Sequence, residues 1–124
     1  MVREIVASAP GKVNLHLGVG EARTDGYHDL VSVFHAVDRR EVVRLLPDGD
    51  PVAGSAVESM HTTFFVDQPD EDIDGPNNLA WRAVEAVVAR AGVAVPRVRI
   101  EVDKHVFVAG GMAGGSADAA AALV

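Results

Sequence analysis

Four glycines in the run Val108-Ala109-Gly110-Gly111-Met112-Ala113-Gly114-Gly115-Ser116-Ala117-Asp118 carry the clearest chemical signal in the chain. Glycine has no Cβ, so backbone built from it curls tightly and lets a ligand come close to its amides. The run leads into an alanine-rich stretch that reads as a helix from about Gly115. A helix start offers unpaired N–H groups and a partial positive charge, and both suit a phosphate. Ser116 adds a hydroxyl for that phosphate or for a bound magnesium ion. Asp118 is expected in the first turn, where the dipole stabilises an acid and a metal is within reach. Two better-known phosphate loops do not fit. A P-loop ends in Gly-Lys-Ser/Thr, which neither Gly11-Lys12-Val13 nor Gly115-Ser116 matches. Gly18-Val19-Gly20 opens like a dinucleotide fingerprint, but Arg23 holds the third glycine's place. Taken alone, the glycine run also reads as a structural turn that packs a helix closely on a sheet.

A second group lies near the start of the chain. Lys12 follows the Pro10-Gly11 break, and Asn14, two residues on, shares its face of a strand. Asp25-Gly26 marks a turn that presents Tyr27 and His28. The five histidines show no i, i+4 pair on a helix, so no zinc site is expected. With no cysteine, disulfides, thiolate metal sites and thiol nucleophiles are all excluded. Eleven basic against eighteen acidic residues leave a net charge of −7, which argues against a general binder of nucleic acid or anionic membrane. Any anionic ligand must then be held by a local site.

The elements that must position these residues follow from periodicity. Val13–Val19 alternates as a half-buried strand with Val13, Leu15, Leu17 and Val19 on one face, Glu21–Asp29 is an exposed loop, and Leu30–Val37 alternates again. Arg40–Leu46 is a third strand, residues 47–60 show no convincing element, and His61–Val66 is rich in β-formers. Asn77 or Asn78 caps a helix through Arg90, with Leu79, Val84, Val87 and Val88 on its apolar face and Gly92 at its end. Trp81 reads as core. Pro96–Val102 places Val98, Ile100 and Val102 inward on a further strand. These elements predict an α+β fold, with helices on one side of a mostly antiparallel sheet and hairpin-like strands before each helix. The last helix has no capping residue at Leu123-Val124, so the chain reads as the N-terminal piece of something longer. No signal peptide or membrane span is visible, and a soluble cytoplasmic protein is the default expectation.

Three ordered blocks together resemble one family. Ala9-Pro10-Gly11-Lys12-Val13-Asn14-Leu15 with Asp25-Gly26-Tyr27-His28, then Asn78-Leu79, then Lys104 followed by the glycine loop are similar to the 4-diphosphocytidyl-2-C-methyl-D-erythritol kinases of the GHMP kinase superfamily. The glycine loop alone suggests only the superfamily, and the other blocks narrow it. The resemblance implies the GHMP N-terminal domain (ribosomal protein S5 domain 2-like), truncated, with residues 1–124 as part of it and the C-terminal domain absent. It implies ATP-dependent phosphorylation of a cytidine diphosphate methylerythritol in non-mevalonate isoprenoid biosynthesis, with ATP and Mg²⁺ as partners of the substrate.

Residue by residue, the resemblance makes Lys12 catalytic beside the acceptor hydroxyl, Asn14 a contact of the methylerythritol part, and Tyr27 and His28 contacts of the cytosine. Asn78, Leu79 and Lys104 match the adenine side of the ATP pocket. Phe107, Val108, Ala109, Gly110, Gly111, Met112, Ala113, Gly114, Gly115, Ser116 and Ala117 match the phosphate loop. Phe107 stands where the family usually has proline, and Ala113 and Ala117 replace its commoner glycine and serine. The family's catalytic aspartate is expected beyond Val124, so residues 1–124 alone are expected to be inactive. Another GHMP small-molecule kinase, or a non-catalytic module of the same architecture, stays open as an alternative; the Tyr27-His28 loop weighs against the first and the net charge against the second.

Overall fold

Apolar residues at alternate positions build the centre of a four-stranded sheet in the computed structural model, which describes residues 3–124. In chain order the elements are β1 (Ile5–Ala22), β2 (His28–Pro47), β3 (Val57–Phe64), α1 (Leu79–Ala91), β4 (Val98–Lys104) and α2 (Gly114–Leu123). The strands lie in the order β1-β2-β4-β3. β1 pairs antiparallel with β2 and β2 antiparallel with β4, whereas β3 and β4 run parallel. The mostly antiparallel α+β expectation therefore stands, but not hairpin-like strands before each helix. A parallel pair needs a crossover, and here α1 forms it between β3 and β4.

One face of the sheet carries the core. Val43, Val57, Ile100 and Val102 pack against Ala80, Ala83 and Val84 of α1 and Ala121 and Ala122 of α2. Full burial of a branched side chain such as Ile100 contributes roughly 1.5–3 kcal/mol, so this cluster dominates the local energetics. At ten residues α2 is too short to persist alone, because isolated helices below about 12–15 residues are marginal. Its alanines lack bulk and let it seat against α1, β1 and β2 instead.

Local signals in α1 match the sequence reading. The Asn78 side chain accepts from the Ala80 N–H, and Gly92 ends the helix in the left-handed region at φ 66°. The apolar face is shifted from the expected one: Ala80, Ala83 and Val84 are buried, while Leu79 and Val87 are 42% and 45% exposed. Trp81 packs at the edge of the core, as expected.

The strands are longer than the periodicity suggests. Pro10-Gly11 does not interrupt β1, because bulges between Pro10 and Lys12 and between Asn14 and His16 absorb the irregularity within one continuous strand. Leu30–Val37 and Arg40–Leu46 likewise merge into β2. Val57 already begins β3, inside the span that showed no element. Leu15, Leu17 and Val19 were expected half-buried and are more than half exposed, as are Leu30, Val31 and Phe34 across the hairpin. Their strand forms through backbone pairing between β1 and β2, and the residues that form the core lie at the other end of β2. No helix among the described residues is long and apolar enough to cross a membrane.

Candidate active site

β4 delivers the chain to the glycine loop, and α2 takes it away. Between them Ala109, Gly111 and Ala113 adopt φ values of 56°, 74° and 55°. A left-handed alanine costs roughly 1–2 kcal/mol, a strain this loop carries at both Ala109 and Ala113. Neighbouring glycines answer a different demand. A Cβ on Gly110 would lie 2.8 Å from the Phe107 Cβ, and one on Gly114 would lie 3.1 Å from the Lys104 Nζ. Gln68 fastens the loop from outside, its Oε1 accepting the Val108 N–H at 2.9 Å.

The start of α2 is open to a ligand. Its cap residue Ala113 makes no side-chain cap hydrogen bond, and the first turn contains no acid. The Ala117 amide bonds to the Ala113 carbonyl, but the amides of Gly114, Gly115 and Ser116 find no acceptor among the described residues. Three unpaired donors at the positive end of a helix form an anion site.

Lys12, distant in sequence, lies against this loop. Its backbone N–H donates to the Met112 carbonyl at 3.0 Å, and its Nζ donates to the Gly111 carbonyl at 2.8 Å. Nζ also reaches Asn14 Oδ1 at 3.3 Å, which realises the shared strand face, and lies 5.3 Å from the centre of the Phe34 ring. The bulge beside Lys12 turns it toward the loop, a common use of bulges. Lys12 forms no ion pair among the described residues, so its charge is not neutralised by a carboxylate.

Five of the expected ATP-side residues meet around one cavity of about 560 Å³: Asn78, Leu79, Lys104, Val108 and Gly115, with Asp118 at its wall. Asn78 is partly committed, since its Nδ2 donates to the Ile73 carbonyl while its Oδ1 caps α1. Lys104 is only 2% exposed. Its Nζ donates to Asp118 Oδ2 at 2.8 Å and lies 3.1 Å from Glu41 Oε2, an ion pair outside hydrogen-bond geometry. Asp118 Oδ1 has no partner among the described residues.

Asp118 corrects an expectation. It sits beyond the first turn, buried, and is not stabilised as an anion. Burial, and then the Glu41 carboxylate beside it, push its carboxyl up to about 8 against the pull of Lys104. The folded chain therefore holds this proton where the unfolded chain has released it. The group's contribution to stability is full at acidic pH and is lost as pH rises from about 4 to about 8. Asp118→Asn keeps the shape and removes the titration, so its melting temperature should fall less across that interval than that of the parent. Parallel melting curves for the two would contradict this assignment.

Tyr27 and His28 stand apart from this cluster. Tyr27 is 71% exposed in the turn between β1 and β2, its N–H bonded to Asp25 Oδ1, and the His28 Nδ1 lies 2.8 Å from the Gly20 carbonyl. Lys12 pairs with Ala36 and Ala22 with His28, so His28 is eight residues along β2 from Lys12's partner, roughly 25 Å of strand. Tyr27 and His28 thus sit at the turn of the hairpin and Lys12 near its middle.

Sequence reading missed Glu41, Phe34 and Gln68. Glu41 carried a usable signal: it occupies the same inward register as Val43 and Leu45, where an acid needs a partner. Phe34 and Gln68 carried none, because their roles depend on residues far away in sequence.

Metal fit follows from the donors present. Among the described residues no three His, Cys, Asp or Glu side chains cluster as ligands. At the helix start the exposed Ser116 hydroxyl is one oxygen for a magnesium ion, and the carboxylates of Asp72, Asp74 and Asp118 line the neighbouring cavity without clustering as a ligand set, so an ion here would depend chiefly on oxygens of the nucleotide itself.

Residues 78–124 match the family model described as GHMP kinases N terminal domain. The chain is 50% identical over 96% of its length to a 4-diphosphocytidyl-2-C-methyl-D-erythritol kinase of Corynebacterium efficiens, covering 38% of that protein. It is 52% identical over 97% of its length to the enzyme of that name from Kineococcus radiotolerans, covering 35% of it. A crystal structure of 4-(cytidine 5'-diphospho)-2C-methyl-D-erythritol kinase superposes with a TM-score of 0.70 at 31% identity, over 96% of this chain and 38% of that one. A Listeria innocua protein, Lin0012, shares the fold at a TM-score of 0.58 and 12% identity, over 97% of this chain and 35% of that one. The chain thus spans little more than a third of the length of these relatives. The glycine loop and the free helix start lie within residues 78–124, the part that matches the GHMP kinases N terminal domain, and the chain as a whole is similar to the N-terminal part of the relatives named here.

Proposed function

We propose that the chain forms the nucleotide-phosphate half of a kinase that transfers the ATP γ-phosphoryl group to a hydroxyl of 4-diphosphocytidyl-2-C-methyl-D-erythritol. The observation that carries this reading is the set of acceptor-free amides at Gly114–Ser116 with the Lys12 ammonium on the same loop. Phosphoryl transfer needs positioning and neutralisation of charge more than covalent chemistry from the protein, and these are the parts at hand. The amides and the helix dipole hold the phosphates. Lys12 faces the charge that develops as the phosphoryl group passes, and Asn14 orients the acceptor beside it. The cavity lined by Asn78, Leu79 and Lys104 takes the adenine side. A magnesium ion bound with ATP would neutralise phosphate charge there, with the Ser116 hydroxyl as its protein contact.

The acceptor's identity rests on the same hairpin, which carries Lys12 and Asn14 near its middle and Tyr27 and His28 at its turn. Tyr27 offers a flat stacking surface and His28 a ring nitrogen for the cytosine edge. The proton of the acceptor hydroxyl requires a base, and the resemblance puts the family's aspartate beyond Val124. The test is ADP release by the chain extended to the full length of its relatives, supplied with Mg-ATP and the diphosphocytidyl substrate. Turnover that a cytidine nucleotide inhibits competitively is expected, and absence of turnover would overturn the reading.

A further inference from the structure

Glu41 is wholly buried, yet neither the family's expected site residues nor the sequence pattern assigned it a task. It sits where the β2–β4 ladder stops. The last pair is Val42 with Asp103, and beyond it the chain turns away toward the glycine loop. Two amides would be orphaned by that departure, and Glu41 Oε1 accepts both, from His105 at 2.9 Å and Val106 at 2.6 Å. Its other oxygen faces the Lys104 ammonium. A carboxylate that accepts two backbone N–H groups in a water-free setting fixes their position strongly.

Val106, held in this way, is itself fully buried and touches both halves of the site. A Cβ on Gly11, the residue before Lys12, would lie 3.0 Å from the Val106 Cγ2. A Cβ on Gly114, the first residue of α2, would lie 3.2 Å from the Val106 Cβ. Both glycines therefore rest against one side chain. Its position determines how far Lys12 stands from the free amides of α2.

We propose that Glu41 is a positioning residue for phosphoryl transfer, acting through Val106 to set the gap between Lys12 and the start of α2. This rests on the kinase reading above. A wider or skewed gap leaves the amides of α2 together as a unit, so the phosphates still bind. What is lost is the alignment of Lys12 with the transferring group, and misplacement by about 1 Å costs on the order of 100-fold in rate.

The experiment compares kcat and the KM for ATP in the extended chain and its variants, at a temperature where circular dichroism shows each to be folded. Glu41→Ala should lower kcat about 100-fold with the KM for ATP changed less than about threefold. Glu41→Gln keeps an oxygen for the two amides and should recover at least about tenfold of that loss, which a merely destabilising role would not separate by kcat. Val106→Ala shrinks the wedge without touching Glu41, and should lower kcat at least about tenfold even if Glu41→Ala fails to fold. Wild-type kcat in folded Glu41→Ala or Val106→Ala would overturn the proposal, as would a rise in KM alone. Absence of turnover in the unmodified extended chain is instead the failure of the kinase reading.

Discussion

Lys12→Ala in the extended chain should lower kcat by a factor of about 100 to 1,000, the range seen when one group that stabilises developing charge is removed. Two features make the effect this large. The ammonium has no carboxylate partner among the described residues, so its charge is available to the reacting phosphoryl group. It is also held in place, by the Gly111 carbonyl at 2.8 Å and Asn14 at 3.3 Å, so little reorganisation is needed at the moment of reaction. The same contacts limit the cost to folding. The Nζ bonds are at an exposed position, and an intramolecular hydrogen bond contributes about 0.5–1.5 kcal/mol net. The backbone bond from Lys12 to Met112 is independent of the side chain and survives. A steady-state assay of ADP release beside a melting curve separates the two effects. Near-normal turnover in a folded Lys12→Ala chain would remove Lys12 from the chemistry.

Ser116→Glu should move stability and nucleotide binding in opposite directions. Ser116 lies in the first turn of α2, which holds no acid, and a carboxylate there gains about 0.3–1 kcal/mol from the helix dipole. The melting temperature should therefore hold or rise. The tethered carboxylate, however, competes for the amides of Gly114, Gly115 and Ser116 and repels an approaching phosphate. The KM for ATP should rise by roughly two orders of magnitude, while the KM for the acceptor changes little. Isothermal titration with a non-hydrolysable ATP analogue gives the same quantity without turnover. Equal affinity for that analogue in Ser116→Glu and the parent would mean that the phosphates dock elsewhere.

How much of this was readable in the residues depends on the range of each interaction. The helix cap, left between Asn77 and Asn78 and formed at Asn78, the Gly92 stop and the inward set Val98, Ile100 and Val102 are local signals. The extents of β1 and β2 are not, because bulges let a strand run through Pro10-Gly11 and because cross-strand pairing, invisible in one segment, extends both strands. The parallel pairing of β3 with β4 was hidden for the same reason. Alternation at Val13–Val19 identified a strand correctly but not its burial, since a period of two says which residues share a face and not whether anything covers it.

The site divides along the same line. The glycine loop and the helix it opens are contiguous, so their phosphate chemistry was legible from spacing alone. That Lys12 meets the loop across ninety-nine positions is a contact that no local spacing carries. Asp118 was assigned to the wrong environment because its burial depends on Glu41 and Lys104, which come from two other elements. Glu41 itself was visible as an acid on an inward register, but its partners at His105 and Val106 are sixty-four and sixty-five residues away.

The measurement closest to the chemistry is a crystal structure of the extended chain with a non-hydrolysable ATP analogue. Phosphate oxygens should lie about 2.7–3.2 Å from the amide nitrogens of Gly114, Gly115 and Ser116, with the Lys12 ammonium turned toward the terminal phosphate. A nucleotide bound with its phosphates away from those amides, leaving the start of α2 bare, would contradict the site described here.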